Sequence, residues 1–243
     1  TGLKTPLVTC ITDISMHPEW TASQTDIYLA PTQEIKRHLI KEGTRAEDIL
    51  VTGIPVRQQF LDADCRQKRE RNRTRRVLIM GGGLGLMPDL KELLEKLHSM
   101  QGVESVVITG KNHKMYEEWV NRYEDVEVLG YTENISRYMR GADLVITKAG
   151  GITLFEILHS QVPLFVIHPF LEQEMNNARY AAEKGFAKVI WGRREDYIPE
   201  LEKLLSDEKM MEEMTGNVRR ACKEMIEVSL DEAVGIMEER MTA

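Results

Sequence analysis

The chain has 243 residues, of which 42% are hydrophobic and 29% charged, as is typical of a globular protein with one large or two small domains. Its 32 basic and 39 acidic residues give a net charge of −7, which argues against broad nucleic-acid binding. No apolar run approaches the roughly 18–20 residues of a membrane span, and no secretory signal is visible. Three cysteines without metal-ligand spacing indicate free thiols in a cytoplasmic protein.

The first quarter of the chain predicts a short run of strands around one helix. The predicted elements are strands at residues 6–11, 26–30 and 49–52 and a helix at residues 33–42. Thr32 is placed to cap that helix and Gly43 to end it. Because the chain begins with Thr and enters a strand at once, we expect its natural amino terminus to lie upstream.

A basic segment, residues 63–76, is predicted to link this first part to the rest. Its stretch from residue 65 to 76 holds seven Lys or Arg against one Glu, a net charge of 7 − 1 = +6. Such a run is usually just solvated. The alternative is a patch that contacts the headgroups of an anionic membrane.

The remainder of the chain, residues 77–243, predicts a complete α/β domain. Six further strands are predicted, at residues 77–80, 105–109, 126–129, 143–146, 163–167 and 187–190, and the last stretch reads as helices. Strands that alternate with helices favour parallel sheets with right-handed crossovers. The predicted fold class is therefore α/β, with a doubly wound, Rossmann-like parallel sheet.

Two strand-to-helix turns are rich in glycine. Residues 81–85 follow one strand, and Lys148, Ala149, Gly150 and Gly151 follow another. Free N–H groups and the helix dipole at such turns favour a phosphate, although a tight turn without a ligand is the alternative for the first. The first turn is not a P-loop, because no Gly-Lys-Ser/Thr follows it.

Polar side chains near these turns suit a sugar nucleotide. Glu156 lies about one and a half turns into the helix that follows Gly151, within reach of a ribose. A predicted loop after the strand at residues 163–167 ends in Gln173, Glu174, Asn176 and Asn177, whose amides and carboxylate suit sugar hydroxyls. The alternative is a pair of ordinary turns with a solvated glutamate.

Seven segments resemble, in order, the family of monogalactosyldiacylglycerol synthases and processive diacylglycerol glucosyltransferases. They are TDISMHPEW (12–20), VTGIPVR (51–57), LIMGGGLG (78–85), ITGKN (108–112), LGYTENI (129–135), ITKAGGITLFE (146–156) and QEMNN (173–177). A more distant similarity is to the N-acetylglucosaminyltransferase of peptidoglycan precursor synthesis. The resemblance implies a GT-B fold, a UDP-sugar donor, and inverting transfer of a hexose to a lipid acceptor such as diacylglycerol. It also implies that residues 1–62 are the incomplete end of an acceptor-side domain and that the last helix crosses back to that domain.

The resemblance also assigns site residues. The donor-binding residues would be Gly82, Gly83, Lys111, Tyr131, Thr132, Lys148, Ala149, Gly150, Gly151, Thr153, Glu156, Gln173, Glu174 and Asn177. Of these, the glycine turns and the two lysines would face the diphosphate, although Lys111 is equally well explained as solvated. Tyr131 and Thr132 would meet the uracil. Glu156 would take the ribose hydroxyls.

The remaining roles are less tightly defined by the motifs. Gln173 and Glu174 would hold the hexose, and Asn177 would support their segment. Asp13 and His17 match the motif on the acceptor side as catalytic candidates, with a structural role as the alternative. No metal or other cofactor is expected, since the sequence has no DxD motif.

Two other functions stay open. One is an enzyme like UDP-N-acetylglucosamine 2-epimerase, which shares the fold and uses no lipid acceptor. The other is a UDP-sugar-binding module or subunit of a split glycosyltransferase. For the leading interpretation we expect a cytoplasmic protein, or one held peripherally on the inner face of the cell membrane.

Overall fold

The computed structural model of the chain describes residues 6–15, 20, 24–61, 74–81, 90–192 and 196–242. His17, Gly82 and Gly83, together with most of the predicted basic linker, lie outside these residues, so their predicted roles stay predictions.

Within the described residues, the first part of the chain forms a three-stranded parallel sheet. Its strands are β1 (Val8–Cys10), β2 (Ile27–Ala30) and β3 (Ile49–Val51), in that order, with helix α1 (Gln33–Lys41) between the last two. The hydroxyl of Thr32 accepts a hydrogen bond from the Ile35 N–H at 3.2 Å, which confirms the predicted cap. Gly43 follows the helix with a φ of +101°, a conformation that suits glycine.

The rest of the described chain is built on a six-stranded sheet in which every neighbouring pair is parallel. The strands are β4 (Arg75–Met80), β5 (Val103–Ile108), β6 (Val126–Leu129), β7 (Leu144–Thr147), β8 (Leu164–Ile167) and β9 (Ala187–Ile190). Their order is β6-β5-β4-β7-β8-β9, so the direction of winding reverses between β4 and β7. The doubly wound α/β sheet predicted from the sequence is confirmed, and its switch point lies beyond the carboxyl ends of β4 and β7.

Helices cover both faces of this sheet. They are α2 (Leu90–Ser99), α3 (His113–Trp119), α4 (Ile135–Gly141), α5 (Gly151–Ser160), α6 (Glu172–Glu183), α7 (Ile198–Ser206) and α8 (Glu208–Met225). A further helix, α9 (Leu230–Thr242), follows them in the chain. Side chains alternate along β4: Leu78 and Met80 join the core under α5, whereas Val77 and Ile79 join the core under α2. Two apolar layers therefore hold β4 and β7 rigidly at the centre of the molecule.

The last helix returns to the first sheet. Ala233 of α9 is fully buried and packs with Ile27, Leu29 and Leu50. Just before α9, the N–H groups of residues 227 and 228 donate to the carbonyl of Val51 at 2.9 and 3.1 Å. The crossing expected from the resemblance is confirmed.

The strand β4 begins two residues earlier than predicted. Arg75 and Arg76, assigned to the basic linker from the sequence, form its first two positions. Arg75 forms an ion pair with Glu208, and Arg76 forms one with Glu127 at 3.3 Å. Strand pairing with β5 extends to Arg75, so both arginines belong to the folded domain. Their side chains pair with acidic residues of that domain.

Candidate functional site

The start of α5 presents backbone N–H groups without helical partners at the switch point. The first hydrogen bond of the helix runs from the Leu154 N–H to the Gly150 carbonyl at 2.9 Å. The N–H groups of Gly151, Ile152 and Thr153 therefore have no partner within the helix. Among the described residues, no side chain caps this end, because its N-cap is Gly150. The partial positive charge of the helix is left available to an anion.

Gly151 also lets the first sheet pack against the start of α5. A Cβ placed on Gly151 would lie 2.4 Å from the carbonyl oxygen of Thr12, a distance that real Cβ atoms essentially never show. It would also lie 3.2 Å from Ile54. Only glycine fits this contact without a shift of backbone. The end of β1 thereby packs directly against the start of α5.

Asp13, predicted as a catalytic candidate, follows Thr12 and so lies beside that contact. Its side chain is buried, with 8% exposure. One carboxylate oxygen accepts hydrogen bonds from the N–H and the hydroxyl of Ser15, at 3.3 and 3.2 Å. Ser15 therefore fixes the orientation of the carboxylate. The geometry is compatible with the catalytic role and with the structural alternative, so the role stays a prediction.

Asn177 supports the glycine turn from α6. Its side-chain N–H donates to the carbonyl of Ala149 at 2.8 Å, and the residue is 1% exposed. Its side-chain oxygen has no hydrogen-bond partner among the described residues. Asn177 was predicted to support the segment of Gln173 and Glu174. In the structure its side chain supports the turn before α5 instead.

The predicted loop at residues 173–177 is wrong. Gln173, Glu174 and Asn177 belong to the first half of α6, which begins at Glu172. The run of polar residues concealed the helix, since the buried residues of the helix begin only at Asn177 and Ala178. Gln173 is exposed and Glu174 half-buried. Because α6 follows β8, both residues lie at the helix end next to the carboxyl edge of the sheet.

Glu156 lies on α5 with an unpredicted partner. The guanidinium of Arg57 donates to its carboxylate at 2.9 Å, and Glu156 is only 6% exposed. Burial raises the pKa of Glu156 above its ordinary value, and the hydrogen bond and charge of Arg57 oppose that rise. The Arg57 side chain is 47% exposed and also lies over the ring of Phe60, with 5.4 Å from Cζ to the ring centre.

The predicted contact of Glu156 with ribose requires Arg57 to share or release the carboxylate. Arg57 is the last residue of the VTGIPVR segment that carried part of the resemblance, but no role was predicted for it. Membership of that segment was the one signal that pointed to it.

Lys148 and Thr153 lie beside the glycine turn at the start of α5. Lys148 is half-buried, and its ammonium lies 5.5 Å from the centre of the Phe170 ring. A Cβ on Gly150 would lie 3.8 Å from the hydroxyl of Thr153, which places that hydroxyl over the turn. The turn, the lysine and the hydroxyl together offer an anion several donors.

Lys111, Tyr131 and Thr132 lie on the far half of the sheet edge. They follow β5 and β6, which are two and three strands from β7, or about 10 and 14 Å at ordinary strand spacing. Lys111 is exposed, Tyr131 is 66% exposed, and the Thr132 hydroxyl accepts from the Asn134 N–H at 3.1 Å. Only an extended ligand would reach these residues and the α5 corner together.

The segment after Arg57 is fastened to α4, a feature that the sequence did not predict. The Gln59 side chain donates to the Glu133 carbonyl at 2.8 Å and accepts from the Ser136 hydroxyl at 3.0 Å. Arg140 donates to the carbonyl of Phe60 at 2.8 Å. These bonds hold Arg57 beside α5, and no sequence pattern signals them.

Among the described residues, no three His, Cys, Asp or Glu side chains come together as a metal site. None of the helices in this part of the chain combines the length and the apolar character needed to cross a membrane.

The parallel sheet, with a helix start at its switch point, defines a doubly wound α/β unit of the kind that binds ligands beyond the carboxyl ends of its strands. Comparison with known proteins gives the family. The model of the glycosyltransferase family 28 C-terminal domain matches residues 76–229, and the monogalactosyldiacylglycerol (MGDG) synthase model matches residues 1–56. The chain belongs to glycosyltransferase family 28.

Its relatives include two bacterial enzymes named processive diacylglycerol beta-glucosyltransferase. The chain is 34% identical to that of Bacillus licheniformis over 231 residues, and 33% identical to that of Bacillus subtilis over 228 residues. Each match covers 90% of this chain and 59% of the relative. The chain thus spans about three-fifths of the length of these relatives.

Solved structures share the fold at low sequence identity. MurG of Acinetobacter baumannii superposes with a TM-score of 0.66 at 14% identity, over 98% of this chain and 68% of that one. A Listeria monocytogenes protein assigned as a UDP-N-acetylglucosamine 2-epimerase gives a TM-score of 0.61 at 20% identity, over 79% of this chain and 54% of that one. The GT-B fold expected from the resemblance is confirmed.

Proposed function

We propose that this protein binds a UDP-sugar and serves an inverting transfer of its hexose to a lipid acceptor such as diacylglycerol. The observation that carries the proposal is the start of α5, where three N–H groups without helical partners lie at the switch point of the sheet. Glu156 follows one and a half turns later on the same helix. A diphosphate on the N–H groups and a ribose on Glu156 fit this spacing.

The corner of α5 would stabilise the leaving group. During sugar transfer the anomeric carbon gains oxocarbenium character, and negative charge grows on the diphosphate as UDP departs. The free N–H groups of α5 and the ammonium of Lys148 lie where they would stabilise that charge. Gly82 and Gly83, which follow β4 in the sequence, would add further donors. The donor would need no metal ion in this scheme.

The acceptor hydroxyl would approach from the first sheet. The Thr12–Gly151 contact brings Asp13 next to the helix start that would hold the diphosphate. Asp13, or His17 further along the same segment, would remove the proton from the acceptor hydroxyl. Attack from the side opposite the diphosphate inverts the anomeric centre. Gln173 and Glu174, at the start of α6, would hold the hexose between the two groups.

The acceptor class is proposed from the relatives. They are named for diacylglycerol, which resides in a bilayer, so we propose that the protein works at the inner face of the cell membrane. The basic run before β4 would supply an electrostatic contact with anionic lipid. The membrane contact and the cytoplasmic location are part of this proposal.

Calorimetric titration with UDP and with UDP-glucose tests the donor part of the proposal. We expect UDP to bind in the presence of a chelator, and GDP to bind much more weakly. Release of UDP after addition of diacylglycerol and UDP-hexose tests transfer. UDP binding without release would support the alternative of a donor-binding module, and absence of UDP binding would contradict both.

A further inference from the structure

Two neighbouring residues of the turn before α5 are contacted by the segment that follows β8. The carbonyl of Ala149 accepts a hydrogen bond from the Asn177 side chain of α6 at 2.8 Å. The ammonium of Lys148 lies 5.5 Å from the centre of the Phe170 ring, within the range of a cation–π contact. The same segment therefore contacts both the backbone and the charged side chain of this turn.

Phe170 is not a core residue. Its side chain is 52% exposed, although Pro169 before it is buried. Among the described residues, the apolar core clusters of the six-stranded unit do not include it. A single exposed apolar residue is ordinary. What the ring contacts, rather than its burial, therefore decides what Phe170 can do.

The backbone before Phe170 is held in a conformation that few residues adopt. His168 has a φ of +49°, in the left-handed region, and it precedes a proline. Its N–H donates to the Ile190 carbonyl of β9 at 2.9 Å, and its ring lies edge-on to the buried ring of Tyr197, with 6.2 Å between their centres. Strained backbone of this kind persists where the surrounding structure fixes it. The chain therefore leaves β8 in a fixed direction, which brings Phe170 beside Lys148.

An aromatic ring holds an ammonium without neutralising it. In the described part of the chain, no carboxylate forms an ion pair with Lys148. A carboxylate at this place would cancel the charge that a diphosphate requires, whereas a ring attracts the ammonium through its quadrupole and adds no net charge. The ring contacts one side of the ammonium, so other N–H groups of Lys148 can still donate to an anion.

We infer that Phe170 is a positioning residue, which holds the Lys148 ammonium toward the diphosphate site at the start of α5. This inference rests on the proposed function, in which Lys148 stabilises the charge that grows on the diphosphate. A solvated lysine side chain samples many rotamers, and ordering it when a ligand binds costs conformational entropy. A ring that orders the ammonium before binding reduces that cost.

A double-mutant cycle with UDP tests the inference by calorimetry. The variants are Phe170→Leu, which keeps an apolar side chain without the ring, Lys148→Met, which keeps the stem without the charge, and their combination. Phe170→Leu alone should bind UDP about two- to fivefold more weakly, because a partly exposed cation–π contact is lost. In the Lys148→Met background the same change should alter the affinity by less than about 1.5-fold. Phe170→Tyr, which keeps a ring, should bind UDP like the wild type.

Trp191→Leu is the matched control. The Trp191 ring has a cation of its own, because the Arg179 guanidinium carbon lies 5.8 Å from its centre. Trp191 follows β9, and neither residue belongs to the proposed donor contacts, so Trp191→Leu should leave UDP affinity unchanged. Equal weakening by Phe170→Leu with and without Lys148 would make the ring a packing residue and overturn the inference. Unchanged UDP affinity of Phe170→Leu would overturn it as well.

Inorganic pyrophosphate separates this inference from the proposed function. It carries the two phosphates without nucleoside or sugar, so the same cycle should give the same coupling between Phe170 and Lys148. A wild type that binds pyrophosphate with this coupling, but binds UDP no more tightly, would contradict the proposed function and leave the role of Phe170 standing. UDP binding without coupling would overturn the role of Phe170 and leave the proposed function standing. Binding of neither probe would overturn both.

Discussion

Arg57 holds Glu156 at 2.9 Å across the junction of the two sheets. The arginine belongs to the segment that leaves β3, whereas the glutamate lies on α5 of the six-stranded unit. The buried carboxylate thus depends on a cation from the other part of the molecule. Because Glu156 is also the proposed ribose ligand, the affinity for the donor is coupled to the placement of Arg57.

Replacement of Glu156 should abolish measurable UDP binding. Two hydrogen bonds from ribose hydroxyls to a charged group are expected to be lost, and the affinity should fall by at least about 100-fold. Calorimetric titration of Glu156→Ala measures the loss, with Glu183→Ala at the exposed end of α6 as the control. Binding of UDP within about twofold of the wild type would exclude the ribose role.

Removal of Arg57 should make donor binding more sensitive to acid. Arg57 lowers the pKa of Glu156 against the effect of burial, so Arg57→Ala should raise that pKa further. The UDP affinity of the variant should fall by about two- to fivefold at neutral pH, since a partly exposed ion pair contributes up to about 1 kcal/mol. Its decline at low pH should begin at a higher pH than in the wild type. An unchanged pH profile would show that Arg57 does not control the charge of Glu156.

The raised pKa of Glu156 also predicts how stability depends on pH. A native pKa above the unfolded value means that the contribution of this group is present below the ordinary value of 4.5 and is lost as pH rises through the native pKa. Glu156→Gln has no group that titrates at this position. The free energy of unfolding of the variant minus that of the wild type should therefore increase as the pH rises from about 4 to about 7. Urea unfolding at several pH values measures the difference, and a decrease with pH would show that Arg57 outweighs burial.

Gly151→Ala should destabilise the protein although alanine favours helices. The new Cβ would meet the Thr12 carbonyl at 2.4 Å, and overpacking of this kind costs about 1–3 kcal/mol. Thermal unfolding should show a lower Tm, and UDP affinity should fall with it. Gly216→Ala on α8 meets nothing within 4 Å and should instead gain about 0.5–1 kcal/mol. Equal effects of the two substitutions would mean that the first sheet does not press on α5.

Asp13→Asn should separate donor binding from transfer. Asparagine keeps an oxygen that accepts from Ser15, but it cannot take a proton from the acceptor. In a form of the protein that transfers hexose to diacylglycerol, UDP affinity should persist while turnover falls by about 100-fold or more. Ser15→Ala, which removes one hydrogen bond to the carboxylate but keeps the charge, is the control. Normal turnover of Asp13→Asn would remove Asp13 from the mechanism.

Much of the fold was predictable because its signals are local. Mostly apolar runs of four or five residues marked the strands of the large sheet, and Thr32 and Gly43 marked the ends of α1. The start of α6 was missed because its first three residues are polar and its buried residues begin only at Asn177, so no apolar period marks the first turn. Helix α3 was also missed, since among its residues only Trp119 is buried.

The site was predictable where a motif sits on one element and not where distant segments meet. The glycines and Glu156 share α5, so their spacing alone placed them together. The Thr12 carbonyl and Arg57 reach the same helix from other parts of the chain, 139 and 99 positions away from Gly151 and Glu156 respectively. The local periodicity of the sequence predicts neither contact, because both arise from how the two sheets pack.

The burial of Ala233 beneath β2 and β3 has a practical meaning for protein engineering. In folding terms, helix α9 is a part of the first, three-stranded unit. A chimera that joins the six-stranded unit of one relative to the three-stranded unit of another would need two crossover points, one before β4 and one after α8. A single crossover would leave α9 from one parent to fill a groove shaped by the other.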